Sequence, residues 1–278
     1  MGCKLSGIRR SLAFQISIVA ICAALYAIGS YLTAFIVSPW GRGQFRPAVV
    51  IPQVFAVVFG PFPAGIGAAI GTFIVDSIKH AQPYIPSLTA AVPSNFITFF
   101  LFGKLLEGKF SWRRFIISTF ISLLVGNLIC AYLYVPTIYL LGALPQSLDL
   151  TVLAIFALAL TIWWFITMLP FSLTVTPILI RAFSLAFPSI VPEDVVYCSL
   201  KNELPTRTFT NVLLAFGVVL SIFGVLLVFS PLGYNVFYSL TVKLNPNFVW
   251  VTLQLISFLF LGSGTVLVIL GIIARLIR

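Results

Sequence analysis

Long stretches of this chain carry almost no charge, and this feature limits what the chain can fold into. Residues 12–37 contain no acidic or basic side chain, and residues 115–180 contain a single one, Asp149. Over the 278 residues, 60% are hydrophobic and 8% are charged, whereas a soluble domain carries about 25% charged residues. A water-soluble fold needs a polar outer face, which so few polar side chains cannot supply. The sequence therefore predicts an all-α integral membrane protein.

Apolar runs of membrane-spanning length recur along the chain. A helix needs about 20 residues to cross the roughly 30 Å of bilayer hydrocarbon. Runs of this length are 12–37, 84–106, 115–141, 150–180, 209–230 and 249–274. Residues 47–78 are also apolar but are interrupted at Gly60 and Pro61, so they form either two short spans or a re-entrant pair. With that segment counted as two, we predict about eight transmembrane helices.

Lysine and arginine are distributed unequally between the two sets of loops. Twelve lie on the side of the termini: Lys4, Arg9, Arg10, Lys104, Lys109, Arg113, Arg114, Arg181, Lys201, Arg207, Arg275 and Arg278. Four lie on the other side: Arg42, Arg46, Lys79 and Lys243. Cytoplasmic loops carry the excess of basic residues. We therefore predict a multi-pass protein of the cell membrane with both termini in the cytoplasm.

One sizeable polar connection, residues 181–208, separates the first six predicted spans from the last two. It contains Glu193, Asp194, Lys201 and Glu203 together with prolines, as is typical of a linker between packed units. We predict a six-helix membrane core over residues 1–187, a cytoplasmic linker over 188–208 and a two-helix membrane extension over 209–278.

Residues that most enzymes and metal sites require are scarce. His80 is the one histidine, so neither a histidine-based metal site nor a nucleophile triad has its parts. The four cysteines lack metal-ligand spacing, and the sequence contains no Walker-type phosphate loop. The net charge of +10 comes from clusters that flank apolar runs, not from a basic face for nucleic acid. We expect no catalytic residues, no metal, no cofactor and no nucleic-acid partner; the lipid bilayer surrounds the chain.

Small and polar residues inside the apolar runs are the candidate functional positions. Amides near mid-membrane, at Asn95 and Asn127, need partners and are functional candidates by default. Arg46 and Asp76 lie near the same predicted outer end, either as a structural ion pair or as binding residues. A stripe of small side chains, which permits close helix approach in lipid, packs either within this chain or against a partner. Its residues are Ala20, Ala23, Ala24 and Ala27.

The order of these motifs resembles a known family. Arg46-Pro47 is followed by Phe59-Gly60-Pro61, then by a glycine-rich segment that ends near Asp76. With the Ala20-x-x-x-Ala24 spacing before it, this pattern is similar to the substrate-binding (S) components of energy-coupling-factor (ECF) transporters, which import vitamins. The resemblance covers roughly residues 12–180. The family usually has six helices, so residues 181–278 are a departure from it.

The resemblance implies a binding subunit without enzymatic activity. Such a subunit captures a vitamin or related micronutrient outside the cell and delivers it through a transmembrane coupling subunit driven by ATPase subunits. The alanine stripe would meet the coupling subunit. In the family, helices four to six and the outer loops form the pocket. The corresponding candidates here are Asn95, Asn127, Tyr132, Tyr134 and Trp163, with Trp40, Arg42 and Arg46 as a lid.

Two other functions are compatible with the sequence. One is a polytopic membrane scaffold or assembly protein that transports nothing. The other is a self-contained secondary transporter, although the chain lacks an evident inverted repeat and the several intramembrane acids that ion coupling uses.

Overall fold

The protein is described here from a computed structural model that covers residues 11–38, 41–198, 206–229 and separate positions between 254 and 275. An isolated bridge between Val37 and Gln44 is the one β-type pairing in this part of the chain, and the predicted all-helical class is confirmed. A 3-10 turn (Pro47–Val49) precedes the second helix, and a π-helical segment (Ser87–Ala91) precedes the fourth. The α-helices are α1 (Leu12–Leu32), α2 (Val50–Phe59), α3 (Pro61–His80), α4 (Val92–Leu106), α5 (Trp112–Leu140), α6 (Leu150–Ala186), α7 (Glu193–Tyr197) and α8 (Thr206–Phe229).

Within the described residues, five helical stretches are long and apolar enough to cross a membrane. They are Leu12–Leu32, Pro61–His80, Ser87–Leu106, Trp112–Leu140 and Leu150–Ala186. These stretches fit a membrane-embedded protein. The two predicted C-terminal spans lie partly outside the described residues, where shorter apolar helices occur at Leu213–Leu226 and Phe260–Ile269. The total of eight spans therefore stays a prediction.

The helix α2 is the centre of the bundle. It packs against α1, α3, α4 and α6, and eight of its ten residues are buried, as expected for a short helix in which Gln53 is the one polar side chain. Gly60, with a φ of 98°, separates it from α3 in a conformation that L side chains rarely adopt. Pro61 then starts α3, whose first position tolerates the missing N–H. The 47–78 segment is thus a short central helix followed by one of spanning length.

Loops gather at two ends of the bundle. One end, called the loop end below, is defined by residues 33–38, 41–46, 81–86 and 141–149. There the Arg42 guanidinium donates to the Ala143 carbonyl at 3.1 Å. At the opposite end, the Asp194 carboxylate accepts a hydrogen bond from the Phe110 N–H at 2.6 Å. Val191 and Val195 are buried in the main core beside it. The first part of the predicted linker therefore packs on the six-helix core.

The described part of the C-terminal extension also contacts the core. The ring of Phe216 in α8 meets Phe120 of α5 at a centroid distance of 5.2 Å and Phe165 of α6 at 5.8 Å. Leu213 and Phe260 belong to a separate small apolar cluster. Aromatic contacts of this kind attach α8 to the outer side of α5 and α6.

Glycines bring α1 and α3 into close contact. A Cβ atom on Gly67 would lie 2.6 Å from the Cys22 Cβ, and one on Gly71 would lie 2.6 Å from the Ala23 carbonyl oxygen. Small residues allow this approach, which supplies dispersion contacts between helices in lipid. The face of α3 that carries Gly67 and Gly71 is therefore an internal packing surface.

Replacing Gly71 by alanine is expected to destabilise the protein by about 1–3 kcal/mol, because the new methyl group would press on the backbone of α1. Unfolding of the purified protein in detergent measures the change. The matched control is Gly262→Ala, since no described atom outside its own helix backbone lies within 4 Å of the Cβ position there; it should be neutral or slightly stabilising. Equal losses from both substitutions would contradict the close α1–α3 contact.

Candidate functional site

A cavity of about 250 Å³ opens at the loop end of the bundle. Its walls come from α3, the π-helical segment, α4, α5 and α6, and the described residues of the loop before the 3-10 turn also line it. The cavity is lined by charged, amide, hydroxyl and aromatic side chains. Small-molecule sites combine a few polar groups with aromatic walls in this way.

An ion pair is buried in the wall of this cavity. The Arg46 guanidinium donates to Asp76 Oδ1 at 2.7 Å, and their side chains are 10% and 8% exposed. The other carboxylate oxygen of Asp76 accepts from the Ser87 hydroxyl at 2.7 Å. Burial lowers the pKa of Arg46, but the nearby Asp76 carboxylate more than offsets this and raises the pKa above its ordinary value. The Arg46 guanidinium therefore stays charged, and its contact with Asp76 holds the residue before the 3-10 turn against α3.

The π-helical segment begins with Ser87, whose hydroxyl donates to Asp76. Its wider turn precedes α4 and places Ser87 and Ala91 on the cavity wall. Single π turns inside helices occur frequently at functional sites.

The 37–46 loop, of which the structure describes residues 37–38 and 41–46, contacts three helices. Gln44 links two of them: its amide nitrogen donates to the Ser30 carbonyl of α1, and its amide oxygen accepts from Lys79 Nζ of α3 at 2.8 Å. Gly43 lies against α6, since a Cβ there would lie 3.0 Å from Leu160 and 3.1 Å from Trp164. The loop thus closes over the cavity in close contact with its walls.

The two amides predicted from the sequence both line the cavity but have different surroundings. Asn95 is satisfied within the protein, because it accepts from the Tyr26 hydroxyl at 3.3 Å and donates to the Ala91 carbonyl at 2.8 Å. Asn127 is 8% exposed, and its amide nitrogen lies 3.9 Å from the sulfur of Met168. A thioether is a weak acceptor, so Asn127 keeps hydrogen-bonding capacity that a bound molecule can use.

Aromatic rings form the other part of the wall. Tyr134 meets Trp164 edge to face at a centroid distance of 6.4 Å, and its hydroxyl lies 3.5 Å from that of Tyr84. His80 stacks on Tyr84 with nearly parallel rings. These rings offer flat apolar faces next to the polar groups.

The structure brings together Arg42, Arg46, Asn95, Asn127 and Tyr134, which all line the cavity. Two other predicted binding residues lie elsewhere. Tyr132 is 46% exposed and donates to the Ala154 carbonyl, whereas Trp163 lines a separate apolar cavity of about 320 Å³ with Phe171 and Phe260. The prediction for Trp40 lies outside the described residues.

Several lining residues were not predicted from the sequence. Among them, Ser94 and Thr98 are four residues apart and therefore share one face of α4, a spacing that could have indicated a polar face. The additional lining residues include Gln44, Ser87, Ser94, Thr98, Trp164 and Met168. Trp164 lies in an apolar run beside Trp163, and no pattern in the sequence separates these two tryptophans.

Helix packing buries two alanines of the α1 stripe and leaves the other two exposed. Ala23 and Ala27 are buried, at 2% and 7% exposure, as in the internal-packing interpretation. Ala20 and Ala24 are exposed and remain accessible to a partner.

No group of three or more histidine, cysteine, aspartate or glutamate residues that could hold a metal ion occurs in the described part of the chain. Comparison with protein-family models, curated proteins and solved structures found no match to this chain.

Proposed function

We propose that this chain is a membrane-embedded binding protein that captures a small polar molecule from outside the cell. The polar cavity inside a predominantly apolar helix bundle is the observation that supports this function. Polar and ionisable groups are costly within a membrane and are placed there mainly for binding or transport. The open hydrogen-bonding capacity of Asn127 and the aromatic wall give such a molecule both polar and stacking contacts.

More specifically, we propose an S component of an ECF-type importer. The resemblance in the Phe59-Gly60-Pro61 turn, the six-helix core and the location of the cavity at one end of the bundle support this assignment. In this arrangement the loop end faces outward, both termini are cytoplasmic, and a coupling subunit with ATPase subunits drives uptake. The excess of basic residues on the side of the termini supports the orientation.

The dimensions of the cavity favour a small cargo. Its volume of about 250 Å³ is near the lower limit of small-molecule sites, which span about 300–1,000 Å³. A single flat heterocycle with one or two substituents fits this space better than a large cofactor. A vitamin or a related small micronutrient has these properties.

Native mass spectrometry of the gently purified full chain tests the proposal. A small molecule bound at one copy per chain supports import, and release of that molecule on denaturation identifies it. A co-purified protein without any small molecule would contradict the proposal and favour the scaffold alternative.

Replacing Asn127 by leucine is expected to weaken binding of the co-purified molecule by about ten- to a hundred-fold, because a hydrogen-bonding group of the cavity is lost. Folding stability should change little, since the hydrogen-bond partner of the amide among the described residues is a thioether, a weak acceptor. Calorimetric titration and thermal unfolding measure the two effects. The matched control, Asn95→Leu, should mainly reduce stability, because it leaves the buried Tyr26 hydroxyl without its acceptor. The opposite pattern would contradict a binding role for Asn127.

A further inference from the structure

The charges on the cavity wall do not balance. Among the described lining residues there are three cationic side chains, Arg42, Arg46 and Lys79, and one carboxylate, Asp76. Asp76 is already paired with Arg46 at 2.7 Å. The wall therefore keeps a positive charge that its own described carboxylate does not offset.

The two remaining cations bond to uncharged oxygens. Arg42 donates to the Ala143 carbonyl at 3.1 Å, and Lys79 donates to the side-chain oxygen of Gln44 at 2.8 Å. Neither forms an ion pair with any described residue. Both lie at the loop end of the cavity, where a cleft with walls of one sign attracts a ligand of the opposite charge.

Hydroxyl groups on α4 give the cavity a second kind of contact. The Ser94 hydroxyl donates to the Ala91 carbonyl at 3.0 Å, and the Thr98 hydroxyl donates to the Ser94 carbonyl at 2.7 Å. Each hydroxyl proton is therefore used, and the oxygen offers only lone pairs to the cavity. A ligand that reaches this part of the wall gains most by presenting N–H or O–H donors.

We infer that the ligand is a small organic anion, with its anionic group at Arg42 and Lys79, a flat ring at Trp164 and Tyr134, and a donor group toward Ser94 and Thr98. This inference rests on the proposed binding function and adds the ligand's charge and its orientation. A carboxylate and a phosphate-type group share the required chemistry, since both accept charge-assisted hydrogen bonds from arginine and lysine.

Three probes with the same ring test the inference on the purified full chain: 4-aminobenzoate, 4-aminophenylphosphonate and the uncharged 4-aminobenzamide. Each is titrated while displacement of the co-purified molecule and tryptophan fluorescence are measured. We expect at least one anion to bind about ten- to a hundred-fold more tightly than the amide. The probe that binds with the higher affinity shows whether the site prefers a carboxylate or a phosphate-type group.

The variants Arg42→Gln and Lys79→Gln should each reduce this preference, whereas Arg113→Gln, an exposed arginine at the opposite end, should leave it unchanged. Equal binding of the amide and the anions would overturn the inference, as would a co-purified molecule that is neutral or cationic at pH 7. Both results leave the proposed binding function intact. Absence of any bound molecule together with absence of binding by every probe would overturn the inference and the proposed function together.

Discussion

Replacing Asp76 by asparagine is expected to destabilise the protein by about 3 kcal/mol and to abolish ligand binding. The substitution leaves the Arg46 guanidinium buried, at about one-tenth exposure, without its carboxylate. Removal of one partner from a buried ion pair costs about 3–5 kcal/mol, because an uncompensated charge remains in a poorly polarisable environment. Binding should fail as well, since the pair and Ser87 form part of the cavity wall. Thermal unfolding and calorimetric titration measure the two losses.

A second variant separates the structural role of the pair from its role in binding. In the double variant Arg46→Gln with Asp76→Asn, both charges are removed and two amides can still hydrogen-bond. We expect stability to return to within about 1 kcal/mol of the original protein, whereas binding stays lost. Recovery of binding in the double variant would show that the pair is structural only. The exposed pair Lys104–Glu107 provides the control, because Glu107→Gln should change stability by less than about 1 kcal/mol.

Tryptophan at both Ala20 and Ala24 is expected to abolish uptake while ligand affinity remains unchanged. Both alanines are exposed on α1, and the cavity is lined by other helices and by the 37–46 loop. Close packing drives helix association in lipid, so two indole rings would keep a coupling subunit away from this face. Whole-cell uptake of the co-purified molecule and titration of the purified variant measure the two properties.

Two control variants make this result specific. Ala182→Trp adds the same ring to an exposed position of α6 and should leave uptake intact. Ala23→Trp should instead destabilise the protein, because Ala23 is 2% exposed and packs against Gly71. Normal uptake by the Ala20→Trp, Ala24→Trp variant would exclude this face as the docking surface.

The apolar runs were sufficient to predict most of the helices. Spans predicted at 84–106 and 115–141 correspond to Ser87–Leu106 and Trp112–Leu140, because desolvation of the backbone in lipid leaves helices as the main option. The break at Gly60-Pro61 was equally visible, since it depends on local φ angles and on a missing N–H. Local chemistry decides such features, and a sequence displays it directly.

Which side chains meet in the cavity was decided by tertiary structure. Successive residues of a helix point about 100° apart, and a helix that is apolar on all sides gives no pattern to show which face is inward. Trp164 therefore lines the cavity where Trp163 was predicted, and Tyr134 lines it whereas Tyr132 is exposed. The Arg46–Asp76 pair was considered from the sequence, but its 2.7 Å contact across 30 residues depends on how α2 packs beside α3.

The alanine stripe shows the same division between sequence and tertiary structure. Its spacing places four small residues along α1, and the sequence by itself determined that they permit close helix approach. The glycines of α3 decide which of them are covered: Ala23 lies against Gly71, while Ala20 and Ala24 remain exposed. Helix periodicity is a local property of the chain, but the neighbour of each face is chosen by the packing of distant segments.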